Sequence, residues 1–495
     1  MQAPKYILAL DLGTTGNRAF VFNADGKIVG SAYKELRQHY PQPGWLEHDP
    51  LQIWNDTCWV MQAAIANSQI TPAQIAAIGL TVQRETCLLW NKTTGEPLHN
   101  AIVWQDRRTA PRCYELQAQG YNQEIYDRTG LVIDAYFSAT KLKWLLDNLD
   151  IDINNTLAGT IDTWILWKLT NKQVHATDHS NASRTMLMNL TTGAWDETLL
   201  KLFQIPVDIL PKIQPSLSHF GVTDTNILGY EIPITAILGD QQASLFGHGC
   251  SKPGLVKCTY GTGSFLVAHT GSQIIRTSQQ LISTIAWTQT NSSNSLNMGY
   301  ALEGSMFTSG ACIQWLRDSL KLINNATQTE AMATSVTDTM GVYFIPAFSG
   351  LGAPHWDMSA RGAFFGITGA IKPEHMVRAV LEAIAYQVKE VVEAINASST
   401  IPVQKLAVDG GACNNNFLMQ FQADILGIPV ERPVVRDTTV QGIAFAAGLV
   451  IGLWDNYEAL VQNRQIDRVF EPGKETYNNF MTWQKAVERA KHWTN

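Results

Sequence analysis

"LALDLGTTGNRAFVFNADGKIVG", Leu8 to Gly30, is the stretch whose reading decides the fold. An apolar run ends in an acid, Asp11, and Gly13-Thr14-Thr15-Gly16 turns the chain into a second apolar run. Tyr6–Asp11 and Arg18–Asn23 are predicted strands, and Asp25-Gly26 is a strong hairpin signal. A carboxylate, two hydroxyls and two glycines thus gather where a strand ends. Two readings are open. The turn reverses the chain and Asp11 ends a strand, or the turn wraps a phosphate with Asp11 beside its metal ion. Glycine lets backbone approach a ligand closely, and successive N–H groups in such a turn form an anion-binding concavity.

The same plan returns twice. "GLVKCTYGTGSFLVAHT" (Gly254 to Thr270) reads as strand, Gly-Thr-Gly turn, strand. "LAVDGGACNNNFLMQFQADIL" (Leu406 to Leu426) reads as strand, glycine turn, helix. The first of these is a weak internal echo of the opening, and it implies two similar halves facing one another. Between them, Ile75–Val82 is a predicted buried strand. Pro50–Ile65, Ser138–Leu149, Asp162–Leu169 and Met376–Ile395 are predicted helices by their apolar spacing. Leu281–Trp287 and Leu296–Glu303 form a predicted hairpin with a polar tip at Thr288–Ser295. Strands and helices alternate throughout, which points to α/β layers.

A chain of 495 residues exceeds the usual single core and suggests more than one domain. At 45% hydrophobic and 16% charged residues it has an ordinary globular composition. A net charge of −7 argues against a dedicated nucleic-acid binder, so no nucleic-acid partner is expected. The 7 cysteines are scattered, without a C-x-x-C pair or a histidine cluster at zinc spacing. That usage suits a reducing compartment. No signal peptide is visible, and the longest apolar stretch, Gly442 to Trp454, is short of the roughly 20 residues of a membrane span. It reads as a buried helix. The expected location is the cytoplasm.

The P-loop pattern needs Ser or Thr after Gly-Lys. Gly26-Lys27 and Gly473-Lys474 lack it. No G-x-G-x-x-G opens a helix, and the protein-kinase H-R-D loop is absent. What remains is a fold in which two halves clamp ATP between glycine hairpins. Asp240, in "ILGDQQASLFGHG", follows an apolar run and precedes two glutamines. It suits a base that takes a proton from an attacking hydroxyl in phosphoryl transfer. Mg²⁺ uses one or two carboxylates with water and phosphate oxygens, so Asp11 suits the metal, with Asp240 reaching its water shell. Arg84 and Glu85 lie just past an apolar strand. An adjacent Arg–Glu is ordinarily a solvated pair, but together they can donate to and accept from a hydroxyl. Neighbours on a regular strand point to opposite faces, so convergence requires an irregular strand end. Trp104 offers a flat wall for a carbon skeleton.

These residues carry a resemblance to the FGGY family of carbohydrate kinases. "WLEHDP", "QRET", "NAIVWQ", "GDQQASLFG", "YGTGSF", "PAFSGLGAPHWD" and "DGGACNNNFLMQFQADILG" resemble the family in order and spacing, from Tyr6 to the final helix. "YFSATKLKWL" (Tyr136 to Leu145) and "FFGITGAIKPEHMVRAVLEAIAY" (Phe364 to Tyr386) resemble its two signatures. "QRET" and "GDQQ" point to glycerol among its substrates. The resemblance implies a two-lobed actin-like ATPase fold, each lobe with a ribonuclease-H-like core, residues 1–247 and 248–495, with the active site between them. It implies an ATP:glycerol 3-phosphotransferase using Mg²⁺, and a homo-oligomer, dimer or tetramer. By similarity, Asp240 is the general base. Arg84, Glu85, Tyr136, Asp240 and Gln241 bind the glycerol hydroxyls, and Trp104 and Phe265 flank its carbons. Thr14, Thr15, Gly16, Arg18, Thr262, Gly310, Gln314, Gly411 and Asn415 hold the nucleotide. Asp11 and its turn become the first phosphate loop, Gly261–Gly263 the second, and Gly410-Gly411 the adenosine loop.

The chain also departs from the pattern. Glycerol-using members commonly open Asp-Gln-Gly-Thr-Thr-Ser-Ser-Arg, whereas Leu12, Gly16 and Asn17 stand here. Leu12 and Gly16 resemble the sugar kinases of the family. Loss of a hydroxyl at Gly16 implies altered nucleotide affinity, with the backbone N–H retained. "NILGYEIPI" (Asn226 to Ile234) has no arginine and no histidine, so control by a sugar bisphosphate or a phosphohistidine is not expected there. The rival readings are a kinase of another polyol or ketose, and a non-catalytic actin-like ATP switch, since fold alone does not fix function.

Overall fold

The structure is a computed structural model and describes residues 5–277, 280–291, 293–399, 401–462, 464–473 and 479–494. Among these residues the spine is a sheet of 13 strands. Tyr6–Leu12 (β1), Gly16–Phe22 (β2), Ile28–Glu35 (β3), Ile75–Val82 (β4), Leu217–Val222 (β5) and Pro233–Gly239 (β6) build its first half. Val256–Tyr260 (β7), Ser264–Gly271 (β8), Ile282–Thr290 (β9) and Leu296–Met306 (β10) begin the second. Leu406–Asp409 (β11), Val430–Pro433 (β12) and Ile466–Phe470 (β13) complete it. The spatial order is β13-β12-β11-β7-β8-β10-β9-β5-β6-β4-β1-β2-β3.

The internal echo is real at the level of strand pairing. In the first half β1 pairs antiparallel with β2 and parallel with β4, and β4 pairs parallel with β6. In the second, β7 pairs antiparallel with β8 and parallel with β11, and β11 pairs parallel with β12. The halves meet edge to edge through one residue pair, Leu217 of β5 with Gln289 of β9.

Parallel strands aligned in register end side by side, and loops that follow them share one edge of the sheet. Leu12 of β1 pairs with Val82 of β4, which pairs with Gly239 of β6. The segments that follow begin with Gly13, Gln83 and Asp240, so three stretches far apart in sequence start from one line. In the second half Thr259 of β7 pairs with Asp409 of β11, and this brings the turns at Gly261 and Gly410 together.

Helices cover the sheet. Pro50–Asn67 (α1) begins as its sequence suggests, with Asp49 accepting from Leu51 N and proline in the first turn. Asp240–Gly247 (α2) follows β6 directly. Gly310–Asp318 (α3), Pro373–Ser398 (α4), Asn416–Leu426 (α5) and Thr438–Val450 (α6) belong to the second half of the chain. Yet α6 lies on the sheet of the first: Val440, Ile443, Ala444 and Ala447 share a buried cluster with Ile7, Ala9, Ala77 and Leu238. The apolar run from Gly442 was expected to stay helical to Trp454, but α6 stops at Val450, and Gly452 then turns with φ +67°. Trp454 instead packs edge-on against Phe445. The β9–β10 hairpin also differs from expectation. Thr288–Thr290 continue the ladder, pairing with Met298, Asn297 and Leu296, and β10 runs on to Met306. Threonine and its neighbours fit a pleated ladder even where it leaves the core, so the tip shrinks to 291–295, of which Ser292 lies outside the described residues. No helix among the described residues is long and apolar enough to cross a membrane.

α2 and α6 touch through glycine. A Cβ on Gly442 would strike the Ala243 carbonyl, and one on Gly247 would strike that of Thr438. Gly442→Ala must therefore push α2 away, at an overpacking cost of about 1–3 kcal/mol. We expect a lower midpoint of thermal unfolding together with a fall in turnover, because Asp240 opens α2.

Candidate active site

The register of β1, β4 and β6 delivers the site. Asp11 sits opposite Arg18 across the β1–β2 hairpin, and the Arg18 Nη2 to Asp11 Oδ2 distance is 2.5 Å. Arg18 also binds Asp437 at 2.6 Å, just before α6. Burial raises the Asp11 pKa, and Arg18 opposes it. Just past β4, Glu85 takes a left-handed backbone with φ +60°. This is the irregular strand end that convergence requires: Arg84 Nε comes within 3.8 Å of Glu85 Oε1. A non-glycine residue held in this region is strained and points to function. Asp240 opens α2, 3.3 Å from Arg84 Nε. Its side chain is 27% exposed, whereas that of Arg84 is 1% exposed, so the carboxylate faces open space and the guanidinium does not.

Behind the site lies an ionic cluster. Arg84 grips Glu303 of β10 with two nitrogens, at 2.6 and 2.8 Å, and donates to Gln242 and Tyr136, each at 3.2 Å. Arg184 donates to Glu85 at 2.6 Å and to Glu303 at 3.1 Å. Burial would raise the Glu303 pKa, but Arg184 and Arg84 outweigh it and hold the carboxyl at about 2. Burial pushes the Tyr136 phenol well up. It also lifts Asp240 to about 6, against the pull of Arg84 and with a push from Glu85. Lys257 of β7 is fully buried and donates to Gln241 Oε1 at 2.5 Å and Thr259 Oγ1 at 2.9 Å. It thereby ties the first turn of α2 to the second half of the chain.

A cavity of about 170 Å³ opens over these groups. Asp11, Thr14, Thr15, Arg18, Arg84, Glu85, Trp104, Tyr136, Asp240, Gln241, Thr262 and Phe265 line it. Trp104 and Phe265 meet edge to face with centroids 5.6 Å apart. A second cavity of about 350 Å³ shares Thr15, Gly261 and Thr262 with the first and is lined further by Gly310, Gln314 and Gly411. The two cavities meet at the glycine turns, which are tightly built. Gly261 N donates to Gly263 O, and Gly310 N to Gly261 O, both at 2.9 Å. Gly410 has φ +84°, and a Cβ there would press on Tyr260 backbone.

Two expected residues do not reach either cavity. Asn415 is spent on structure: its Oδ1 caps α5 by accepting from Leu418 N, and its Nδ2 donates to Thr329. Gly16 contributes its carbonyl to Gly13 N and nothing to the cavity lining. The Tyr33 ring occupies the place of a Cβ at Gly16, which explains why glycine stands there. Glu303, Arg184 and Lys257 were not singled out individually from the sequence. The available signal was a charge inside an apolar strand, as in "YALEGSM" and "LVKCTY". Arg317 also lines the second cavity. Among the described residues no three His, Cys, Asp or Glu side chains gather to hold a metal. Asp11 and Asp240 on one cavity nevertheless fit Mg²⁺, which takes few protein carboxylates when phosphate oxygens are present.

The N-terminal domain model of the FGGY family of carbohydrate kinases matches residues 6–247, and its C-terminal domain model matches residues 256–450. The chain belongs to the FGGY family of carbohydrate kinases, with the two-domain actin-like ATPase fold. Among its relatives, a glycerol kinase of Trichormus variabilis is 75% identical over 492 residues, 99% of this chain and 98% of the relative. The crystal structure of Plasmodium falciparum glycerol kinase with ADP matches with a TM-score of 0.87 at 36% identity, over 99% of this chain and 98% of that one. A ligand-bound xylulose kinase from Lactobacillus acidophilus matches with a TM-score of 0.84 at 24% identity, over 98% and 97% of the two chains, and speaks for the fold alone.

Removing one partner of a buried ion pair leaves the other charge uncompensated, at a cost of about 3–5 kcal/mol. Glu303→Gln takes from Arg84 the carboxylate it binds with two nitrogens and leaves Arg184 with Glu85 as its remaining carboxylate, so we expect a clear drop in the urea midpoint. An unchanged midpoint would show that the cluster contributes little to stability.

Proposed function

We propose that the chain transfers the γ-phosphoryl group of ATP to a terminal hydroxyl of glycerol in one in-line step, giving glycerol 3-phosphate. The observation that carries this reading is one cavity in which a partly exposed carboxylate, a paired Arg–Glu and two glycine turns face each other. The glycerol kinases at high identity over nearly the whole chain support the substrate.

In this reading Arg84 donates to a glycerol hydroxyl while Glu85 accepts from it. Tyr136 and Gln241 complete the polar contacts, and Trp104 and Phe265 enclose the carbon skeleton. Asp240 takes the proton from the attacking hydroxyl. Thr14, Thr15, Arg18 and Thr262, with the turn N–H groups, hold the phosphates. Gly310, Gln314 and Gly411 line the nucleotide space, with Asn415 acting through the end of α5. Asp11 and Asp240 would hold Mg²⁺, which when bound neutralises the phosphate oxygens. The rate comes mainly from positioning and electrostatics, and enclosure limits competition from water. Residues 1–247 and 248–495 serve as the two lobes. A cytoplasmic location agrees with the 7 unpaired cysteines. A dimer or tetramer, expected from the family, is checked by light scattering.

The test is ADP release with MgATP and glycerol, dihydroxyacetone, xylulose, ribulose or gluconate. Glycerol should stimulate it most, and Asp240→Asn should cut the rate by about 10²–10⁴-fold while the fold persists. Faster release with a pentulose or sugar acid would overturn the substrate assignment; full turnover in the variant would overturn the base.

A base acts only when deprotonated. With Asp240 near 6, kcat/KM should climb tenfold per pH unit below about pH 6 and level off above it. A profile flat down to pH 4.5 would remove Asp240 from that role.

A further inference from the structure

His48 lies outside both cavities, fully buried, yet it closes a ring of hydrogen bonds that begins and ends on Thr14. The Thr14 hydroxyl accepts from Trp104 Nε1 at 2.9 Å. Trp104 N donates to Thr86 Oγ1 at 3.2 Å. Thr86 Oγ1 donates to Gln83 Oε1 at 3.1 Å. Gln83 Nε2 reaches His48 Nδ1 at 3.2 Å and the Gly13 carbonyl at 3.4 Å. His48 Nε2 lies 2.9 Å from Gln38 Oε1. Gln38 Nε2 donates back to the Thr14 carbonyl at 2.8 Å and to the Leu36 carbonyl at 3.0 Å.

The two amides fix the histidine. Gln38 faces two carbonyls, so its nitrogen must point to them and its oxygen to His48. Gln83 faces the Gly13 carbonyl and the Thr86 hydroxyl, so its nitrogen points to Gly13 and to His48. His48 therefore carries its proton on Nε2 and offers a lone pair at Nδ1. Every N–H donor in the ring, and the Thr86 hydroxyl, meets an acceptor. Burial, with His39 nearby, lowers the His48 pKa to about 3, so the neutral ring is kept across the physiological range.

The ring brackets Arg84 and Glu85, which lie between its members Gln83 and Thr86. It also takes in Trp104, a wall of the glycerol cavity, and the carbonyl and hydroxyl of Thr14 in the first phosphate turn. We infer that His48, with Gln38, is a positioning residue that couples the glycerol-facing segment Gln83–Thr86 to the first phosphate turn. Moving either segment breaks a bond in the ring, so binding at one site favours the geometry that the other needs. The inference rests on the function proposed above. Allosteric coupling of this kind amounts to about 5-fold or more in affinity.

The experiment is titration calorimetry of glycerol into the full-length protein, alone and saturated with MgADP. Wild type, Gln38→Met and His48→Phe are compared. Gln38 is only half-buried, so Gln38→Met keeps the fold even where His48→Phe does not. The expected result is glycerol bound at least about 5-fold more tightly with MgADP in the wild type. In Gln38→Met that gain is lost, while affinity for glycerol alone stays within about 2-fold. A purely structural role would weaken both affinities together and leave their ratio unchanged, and this result overturns the inference. So does a wild type that binds glycerol without any coupling. A wild type that binds no glycerol overturns the proposed substrate first, and the coupling with it.

Discussion

The two-pronged grip of Arg84 on Glu303 is the interaction on which the site depends. Arg84 follows β4 in the first half, and Glu303 lies in β10 of the second, 219 residues away. Both are removed from water, and such a pair survives only when the remaining donors and acceptors are also filled. Here Arg184, Ser305, Gln242 and Tyr136 fill them. With its two Nη atoms spent in this way, Arg84 turns its Nε edge toward Asp240 and Glu85. The cluster thus holds the halves together and positions Asp240 at the same time.

Asp240 differs from Glu303 in its surroundings. Two guanidiniums surround Glu303 and keep it ionised deep in the protein. Around Asp240 burial, with the Glu85 and Asp11 carboxylates, outweighs Arg84 and Lys257, and its pKa moves the other way. The same residue class is held ionised in one place and pushed toward its protonated form in the other, according to whether the cations around it outweigh burial and neighbouring acids.

Much of this was legible in the sequence. Asp11, Asp240 and the glycine turns each end an apolar run, and a strand end at a sheet edge is where ligand chemistry concentrates. The Arg84–Glu85 convergence could be stated as a requirement, although the left-handed turn at Glu85 that meets it could not be seen. Glu303, Lys257 and Arg184 stayed hidden because groups they meet, Arg84, Gln241 and Glu85, come from other elements of the fold, and a lone charge in an apolar run does not reveal what it pairs with. Asn415 shows a related ambiguity: an asparagine after a glycine turn suits a ligand and a helix cap equally, and its Oδ1 here caps α5. The strand boundaries of the β9–β10 hairpin shifted because polar residues can pair as well as apolar ones once a ladder leaves the core.

The joint between β5 and β9 has a consequence of its own. Every other ladder of the sheet has at least two rungs, but the two halves share a single one, Leu217 with Gln289. A sheet resists shear in proportion to the rungs that must give way together. The ladder is thus a weak crease in an otherwise stiff plate, and what keeps the halves from parting there is side-chain bonding, Ser216 with Thr288 beside the rung and Arg84 with Glu303, while the strand ends that carry Asp11, Arg84 and Asp240 lie on one side of it and share one register.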